Sequence, residues 1–326
     1  MNVREELLKD IEETLAECGH RVVRVRGRSC FDLLVRSRRD GKTYVVKVLT
    51  NADSLQREPA EDLHRVAHFL EAIPVVVSLR KYGGPLRRNV VYHRYGIPVV
   101  EPITFVMMVE GELPKAVADR GGYYVKVGEG TDLEHLSAPR RRELRERGGR
   151  VSLKRLEATG SEPEFEPVEI GPPRDVDPGK DRMGAFERRV AELLERLGAE
   201  ETGKVERAPF DLMARDGDRV IARTSPGESD ALRGVATLAG CLGFVVTEGK
   251  GRGDPLVPSV DIDTLRKLKD LEDLKEYLEE HDPATLVRRV VREESVTSPE
   301  EIARKTGLSE EDVKKVLKYV MAWGNL

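Results

Sequence analysis

Asp32 and Lys47 are the residues whose types and spacing could carry chemistry. A carboxylate at the start of a hairpin, followed on the next strand by an acid and a lysine two residues apart, is the arrangement of a metal-dependent nuclease. The acids hold Mg²⁺, and the lysine activates water or steadies the charged phosphate. Here Asp32 opens Phe31-Asp32-Leu33-Leu34-Val35, and Lys47 lies in Tyr44-Val45-Val46-Lys47-Val48. The position two before Lys47 is Val45, which cannot bind a metal. A second constellation carries Asp211 in Pro209-Phe210-Asp211-Leu212. With Ser54 and Ser229 as anchors, Lys47 aligns with Ala222; a one-residue gap brings Arg223 there instead. Neither choice places a carboxylate on that strand. Glu13 and Glu192 match each other on the preceding helices and could supply one further acid. One carboxylate per site is too little to fix Mg²⁺. Asp32, Lys47 and Asp211 therefore read as vestigial nuclease positions. The expectation is no catalytic residue, no bound metal and no enzyme.

A different chemistry is written near the C-terminus, in Ser298-Pro299-Glu300-Glu301-Ile302-Ala303-Arg304-Lys305-Thr306-Gly307-Leu308-Ser309 and onward to Val313. Ser298 is a good N-cap and Pro299 suits the first turn. Ala303 is small where two helices approach, and Gly307 falls where the turn wants positive φ. Ser309 caps the next helix, whose apolar face is Val313, Val316, Leu317 and Val320. Leu286, Val287 and Val290 belong to a supporting first helix. The Ala303–Gly307–Val313 spacing is that of a helix-turn-helix framework. Lys314, Lys315 and Lys318, with Arg304 and Lys305, are the candidate contacts to double-stranded DNA. Glu310, Glu311 and Asp312 complement the helix dipole but repel a nearby phosphate. A protein-interaction module is the competing reading.

The elements that must position these residues occur twice. Val3, Leu7, Leu8, Ile11 and Leu15 predict a helix stopped by Gly19. A strand at 21–25 follows, then the hairpin of 31–35 and 44–48 around Asp40-Gly41. Residues 59–72 return to helical spacing, and Ile73-Pro74-Val75-Val76-Val77 reads as a buried strand. The same order recurs with Phe186 to Leu197, Gly198, the hairpin around Asp216-Gly217, a helix at Leu232, Val235 and Leu238, and Gly243-Phe244-Val245-Val246. Gly96-Ile97-Pro98-Val99-Val100 is expected to be mirrored by Asp254-Pro255-Leu256-Val257-Pro258. This order predicts an internal repeat of a small mixed sheet with flanking helices. Between the copies lie an arginine-rich stretch, Arg140 to Arg155, and a Pro/Glu/Gly-rich linker, Ser161 to Lys180.

Composition sets the outer limits. The chain has 326 residues, enough for two or three domains, and a formal net charge of −4. A globally basic nucleic-acid protein is excluded, so any DNA contact must come from a local patch. Cys18, Cys30 and Cys241 are too few and scattered for a disulfide framework or zinc knuckle. The first helix is charged and amphipathic rather than a signal segment, and no run is long enough to span a membrane. A reducing, cytoplasmic setting with no membrane partner is expected. His64 and His68, one helical turn apart, lack a third ligand. Gly249, Gly251 and Gly253 form a Gly-rich loop with no helix directly after it, which argues against a phosphate loop.

Several stretches are distinctive. They are Gly27-Arg28-Ser29-Cys30-Phe31-Asp32-Leu33, Lys47 to Leu55, Val91-Tyr92-His93-Arg94-Tyr95-Gly96-Ile97, Arg120 to Lys126, and Ala208-Pro209-Phe210-Asp211. Together these resemble the archaeal HTH-type transcriptional regulatory protein family, over residues 1–126 and, less closely, 184–280. The resemblance implies two restriction-endonuclease-like domains flanking a central Cro/repressor-type helix-turn-helix, regulation of transcription, and no cofactor. At the centre this sequence departs from that pattern. Arg141 to Arg147 resembles that domain's first helix and Ser152 to Leu156 the start of its second. Glu157 then stands where a small residue is needed, and Gly160 arrives early. The expected fold class is therefore α/β: two repeated, degenerate restriction-endonuclease-like domains (1–126 and 184–282), a truncated central helix-turn-helix remnant and linker (127–183), and a C-terminal three-helix helix-turn-helix unit (283–326). The expected function is a sequence-specific DNA-binding transcriptional regulator without nuclease activity, working as a homodimer by analogy. The alternatives are a protein-interaction scaffold on inactive nuclease-like domains, or a metal-dependent endonuclease.

Overall fold

The computed structural model describes residues 2–120, 122–127, 150–154, 165–225, 229–249 and 254–322. Two compact units divide the chain. The first comprises 1–22, 31–67 and 71–174; the second comprises 23–30, 68–70 and 175–326.

The first unit opens with α1 (Val3–Glu17), started by the Asn2 side chain, which accepts from the Arg4 N–H, and ended at Gly19 with φ 81°. The chain then runs β1 (Arg21–Arg24), β2 (Leu33–Arg36), β3 (Thr43–Asn51), α2 (Arg57–Phe69), β4 (Ile73–Lys81), β5 (Gly84–Pro85), β6 (Val90–Arg94), β7 (Ile97–Val100) and α3 (Pro102–Val109). β2 and β3 form the expected antiparallel hairpin, and β3, β4 and β7 run parallel. The strand order is β1-β2-β3-β4-β7-β6. Alternation sends Leu33, Val35, Tyr44, Val46, Val48, Val75 and Val77 to one face. There they meet Leu7, Leu8, Ile11 and Leu15 of α1 and Phe105 and Met108 of α3. Beyond β6 the sheet continues through β8 (Ala116–Asp119), β9 (Gly122–Val127) and β10 (Arg150–Ser152), with β11 (Phe165–Glu166) also paired to β9. Sequence reading did not foresee this extension; Ser152 closes β10, and Leu153 and Lys154 directly after it are helical, where a second helix was expected to start. The arginine-rich segment 141–147 and the Glu157–Gly160 region lie outside the described residues.

The second unit repeats the order of elements. α4 (Ala185–Arg196) ends at Gly198, φ 116°. β12 (Glu201–Lys204), β13 (Leu212–Asp216), β14 (Asp218–Arg223), α5 (Ser229–Ala239), β15 (Leu242–Thr247) and β16 (Ser259–Asp261) follow. The sheet order is β12-β13-β14-β15-β16, antiparallel for the first two pairs and parallel for the last two. Strand order and pairing directions of β2-β3-β4-β7 recur in β13-β14-β15-β16. One expectation needs correction. Residues 254–258 are a loop, and the last strand is 259–261, because Asp254 folds back to accept the N–H groups of Leu256 and Val257.

α6 (Ile262–Leu265) and α7 (Leu271–Glu280) cover the inner face of this sheet through Leu265, Leu271, Leu274 and Leu278. Three further helices, α8 (Pro283–Glu293), α9 (Pro299–Thr306) and α10 (Glu310–Ala322), share their own core. It contains Ala284, Val287, Val290, Ile302, Val313, Val316 and Val320. Leu256, from the loop before β16, belongs to that core as well. Arg233 of α5 grips the carboxylate of Asp282, the N-cap of α8, with both guanidinium ends, donates to Leu256 O at 3.0 Å, and lies over the Tyr319 ring. The three helices are thus joined to the second sheet by apolar packing and a largely buried ion pair. No helix among the described residues is long and apolar enough to cross a membrane.

Candidate functional site

Asp32 sits just before β2, and its carboxylate is 4% exposed. Oδ2 accepts the Val48 N–H at 2.8 Å. Oδ1 accepts from Arg4 Nη2 at 2.6 Å and from Lys47 Nζ at 3.1 Å. Arg4 Nε also donates to Val48 O at 3.0 Å, which fixes the guanidinium across the carboxylate. A divalent metal needs several carboxylate or carbonyl oxygens around it. Here two cations already occupy the one carboxylate, and Val45, fully buried, takes the position of the second. Glu13 points elsewhere, pairing with Lys9 on the exposed face of α1. The residues present do not fit a metal. Sequence reading missed Arg4. A cation in the first turn of α1 opposes the helix dipole, and that oddity was the available signal.

The second copy settles the alignment left open above. Leu33 pairs with Val46, and Leu212 pairs with Ala222. Asp32 N donates to Val46 O, and Asp211 N donates to Ala222 O. Arg223, not Ala222, is therefore the counterpart of Lys47, and Val45 corresponds to Ile221. The anchor at Ser54 and Ser229 fails because the β14–α5 connection is shorter. Arg223 does not turn to Asp211. It donates to Asp254 Oδ2 at 2.8 Å and to Ser229 Oγ at 3.1 Å. Asp211 instead accepts the Thr224 N–H at 2.8 Å, the Ser225 N–H at 3.1 Å and both hydroxyls. Its carboxylate closes a turn.

The histidine pair is dispersed. His64 Nε2 lies 2.9 Å from Tyr95 O, and His68 Nε2 lies 3.0 Å from Glu201 Oε2. Among the described residues no group of three His, Cys, Asp or Glu could hold a metal.

In the three-helix unit Gly307 ends α9 with φ 74°, its N–H donating to Ala303 O at 2.9 Å. No atom lies within 4 Å of where its Cβ would be, so backbone conformation alone requires glycine. Ser309 Oγ accepts the Asp312 N–H at 3.2 Å and starts α10. Ser298 occupies the N-cap of α9, but its side chain makes no capping hydrogen bond. Val313 is fully buried and Ala303 packs beside it in the same core. The candidate cations are solvent-facing and mostly paired within the unit. Lys315 meets Glu311 at 2.9 Å, Lys314 meets Glu310, Arg304 lies 3.6 Å from Glu301, and Lys305 meets Glu294. The hydrogen bond that Lys314 donates to Glu310 raises the Lys314 pKa above its ordinary value. Exposed pairs of this kind contribute little, because solvent and salt screen them. A phosphate can replace such a partner cheaply. Lys318 is exposed and has no ion pair among the described residues.

Residues 4–114, which hold α1 to α3 and β1 to β7, match the family model of the PD-(D/E)XK superfamily domain, so this part of the chain has the nuclease-like class of fold. Over 320 residues the chain is 55% identical to the "Putative HTH-type transcriptional regulatory protein" of Methanopyrus kandleri, with 97% of each chain covered. A protein of the same description from Thermococcus kodakarensis is 31% identical over 307 residues, covering 85% of this chain and 96% of the relative. One from Methanothermobacter thermautotrophicus is 41% identical over 154 residues, 47% of this chain and 46% of its own. This chain belongs to that archaeal family of HTH-type transcriptional regulatory proteins. No solved structure matches it.

Proposed function

We propose that this protein is a sequence-specific, DNA-binding transcriptional regulator without nuclease activity, and that α8–α10 are a helix-turn-helix reading duplex DNA. The observation that carries the reading is the turn at Gly307. Positive φ there, four residues after Ala303, sets α10 across α9 with Lys314, Lys315 and Lys318 toward solvent. The relatives, named as HTH-type transcriptional regulatory proteins, support regulation of transcription. In this reading 283–326 took over the reading role from a truncated central remnant at 127–183. The occupied carboxylate of Asp32 supports the absence of metal-dependent cleavage. Two duplicated nuclease-like domains, 1–126 and 184–282, then act as a scaffold. The acidic first turn of α10 favours a second reading, a unit that grips a protein partner.

One titration series separates them. Genomic duplex fragments selected on the full chain are titrated against wild type and the triple variant Lys314→Ala/Lys315→Ala/Lys318→Ala. Each phosphate contact removed should flatten the salt dependence by about one unit of slope. If the triple variant binds those fragments as tightly as wild type at low salt, the C-terminal unit is not the reader. Cleavage of duplex or single-stranded DNA with Mg²⁺ or Mn²⁺, abolished by Asp32→Ala, would make the protein an endonuclease.

A further inference from the structure

Between Ala72 and Val100 the chain carries no aspartate or glutamate, yet it carries Arg80, Lys81, Arg87, Arg88 and Arg94. The net charge of the whole chain is −4, so this acid-free run stands out. Three of the eight tyrosines lie in it, Tyr82, Tyr92 and Tyr95, and Tyr123 and Tyr124 follow on β9.

The first unit gathers these residues. β4 and β5 form a hairpin whose last pair is Lys81 with Gly84, leaving Tyr82 and Gly83 as a two-residue tip. Gly83, at φ 94°, permits the tight turn. Tyr82 is 91% exposed, although its backbone N–H is tied to the Asp53 carboxylate. β6 carries Arg94, whose guanidinium lies 4.7 Å from the ring centre of Tyr95, itself 44% exposed. Lys81 sits 5.0 Å from the Tyr92 ring and Arg87 5.4 Å from the Tyr123 ring. Arg80 and Arg88 are exposed and make no ion pair among the described residues.

We infer that this hairpin and the adjoining residues of β6 form a second nucleic-acid surface, one for a single strand with unpaired bases. Cations track a phosphate backbone, and aromatic rings stack on base faces. In a duplex those faces are hidden, so a ring displayed at a hairpin tip gains only from an unpaired base. This surface is separate from the proposed helix-turn-helix, and its test does not depend on that reading.

The probe is a fluorescein-labelled 20-nucleotide oligo(dT), compared with the same strand annealed to oligo(dA), and read by fluorescence anisotropy on the full chain. We expect oligo(dT) to bind more tightly than the duplex, with affinity unchanged in the Lys314/Lys315/Lys318 triple alanine variant. Tyr82→Ala should weaken oligo(dT) binding about tenfold, and Tyr82→Phe should keep it. Arg80→Ala and Arg88→Ala should each lower the salt slope by about 0.7 units. The exposed positions leave folding unaffected, which thermal melts check. No binding of oligo(dT) at low salt overturns the inference. So does a Tyr82→Ala protein that binds like wild type, even if the arginine variants weaken, because the grip would then be charge without stacking.

Discussion

Asp32 and Asp211 stand at the same place in two sheets that share the order of four strands, and they do different work. Each accepts a backbone N–H two residues beyond its paired position, from Val48 and Thr224 respectively, both at 2.8 Å. From there the sites diverge. Asp32 neutralises two cations, Arg4 and Lys47, in a nearly closed pocket. Asp211 takes neutral donors from Thr224 and Ser225 at the protein surface. The cation equivalent to Lys47 has been recruited elsewhere, to Asp254. The backbone ladder preserves a position, while the chemistry there depends on two or three side chains from distant segments. Neither site has the oxygen ligands a metal requires.

The comparison can be broken by asking what charge contributes at each site. Asp32→Ala leaves Arg4 and Lys47 facing each other beside an unsatisfied Val48 N–H, and we expect a loss of about 3 kcal/mol. Asp32→Asn should cost nearly as much, since the neutral amide cannot balance two cations. At the other site Asp211→Ala should cost about 1–2 kcal/mol, and Asp211→Asn less than 1, because one carbonyl oxygen still closes the turn. Chemical denaturation of the four variants gives the values; equal costs for the two asparagine variants would show that Asp32 is also only a turn residue. Smaller again is Gly307→Ala in the three-helix unit. With open space for the methyl group, only the left-handed backbone resists it, about 1 kcal/mol.

The smallest expected effect concerns pH. Hydrogen bonds from His20 and Arg39 hold the Glu110 pKa below its ordinary value. A carboxylate with a depressed folded-state pKa adds stability that is present above the unfolded value and lost as pH falls through the folded one. Wild type should therefore lose a little stability below about pH 4.5 that Glu110→Gln does not. Parallel acid limbs in both proteins would remove Glu110 from the account.

Much of this architecture was legible. Leu7, Leu8, Ile11 and Leu15 gave α1 its buried stripe, Asp40-Gly41 and Asp216-Gly217 marked both hairpins, and Gly307 marked the turn between the last helices. These are local signals with a fixed period or a fixed φ. What escaped notice depends on distance. Arg4 reaches Asp32 across 28 positions, and no periodicity announces it. The counterpart of Lys47 required the ladder, since a one-residue difference in loop length shifts any ungapped alignment. β10 and β11 are short strands whose partner, β9, lies well back along the chain. The basic, tyrosine-rich run at 79–95 was present in the sequence all along, but a search for the charge-rich segment favours Arg140 to Arg155, where arginines are densest and acids are interleaved.

The bond between Arg233 and Asp282 changes how the C-terminal unit can be studied. Asp282 is the last residue before the three helices, so a deletion cut at 283 looks harmless on paper. It would nonetheless strip Leu256 of its apolar neighbours and remove Tyr319 from above the Arg233 guanidinium. The shortened protein would carry a sticky patch and a poorly supported Asp282. Its failure on DNA would then say as much about aggregation as about recognition. Conversely, the isolated tail would lack Leu256 from its own interior. Point substitutions on the outer face of α10 are the dissecting tool this molecule permits, and truncation libraries will misreport it.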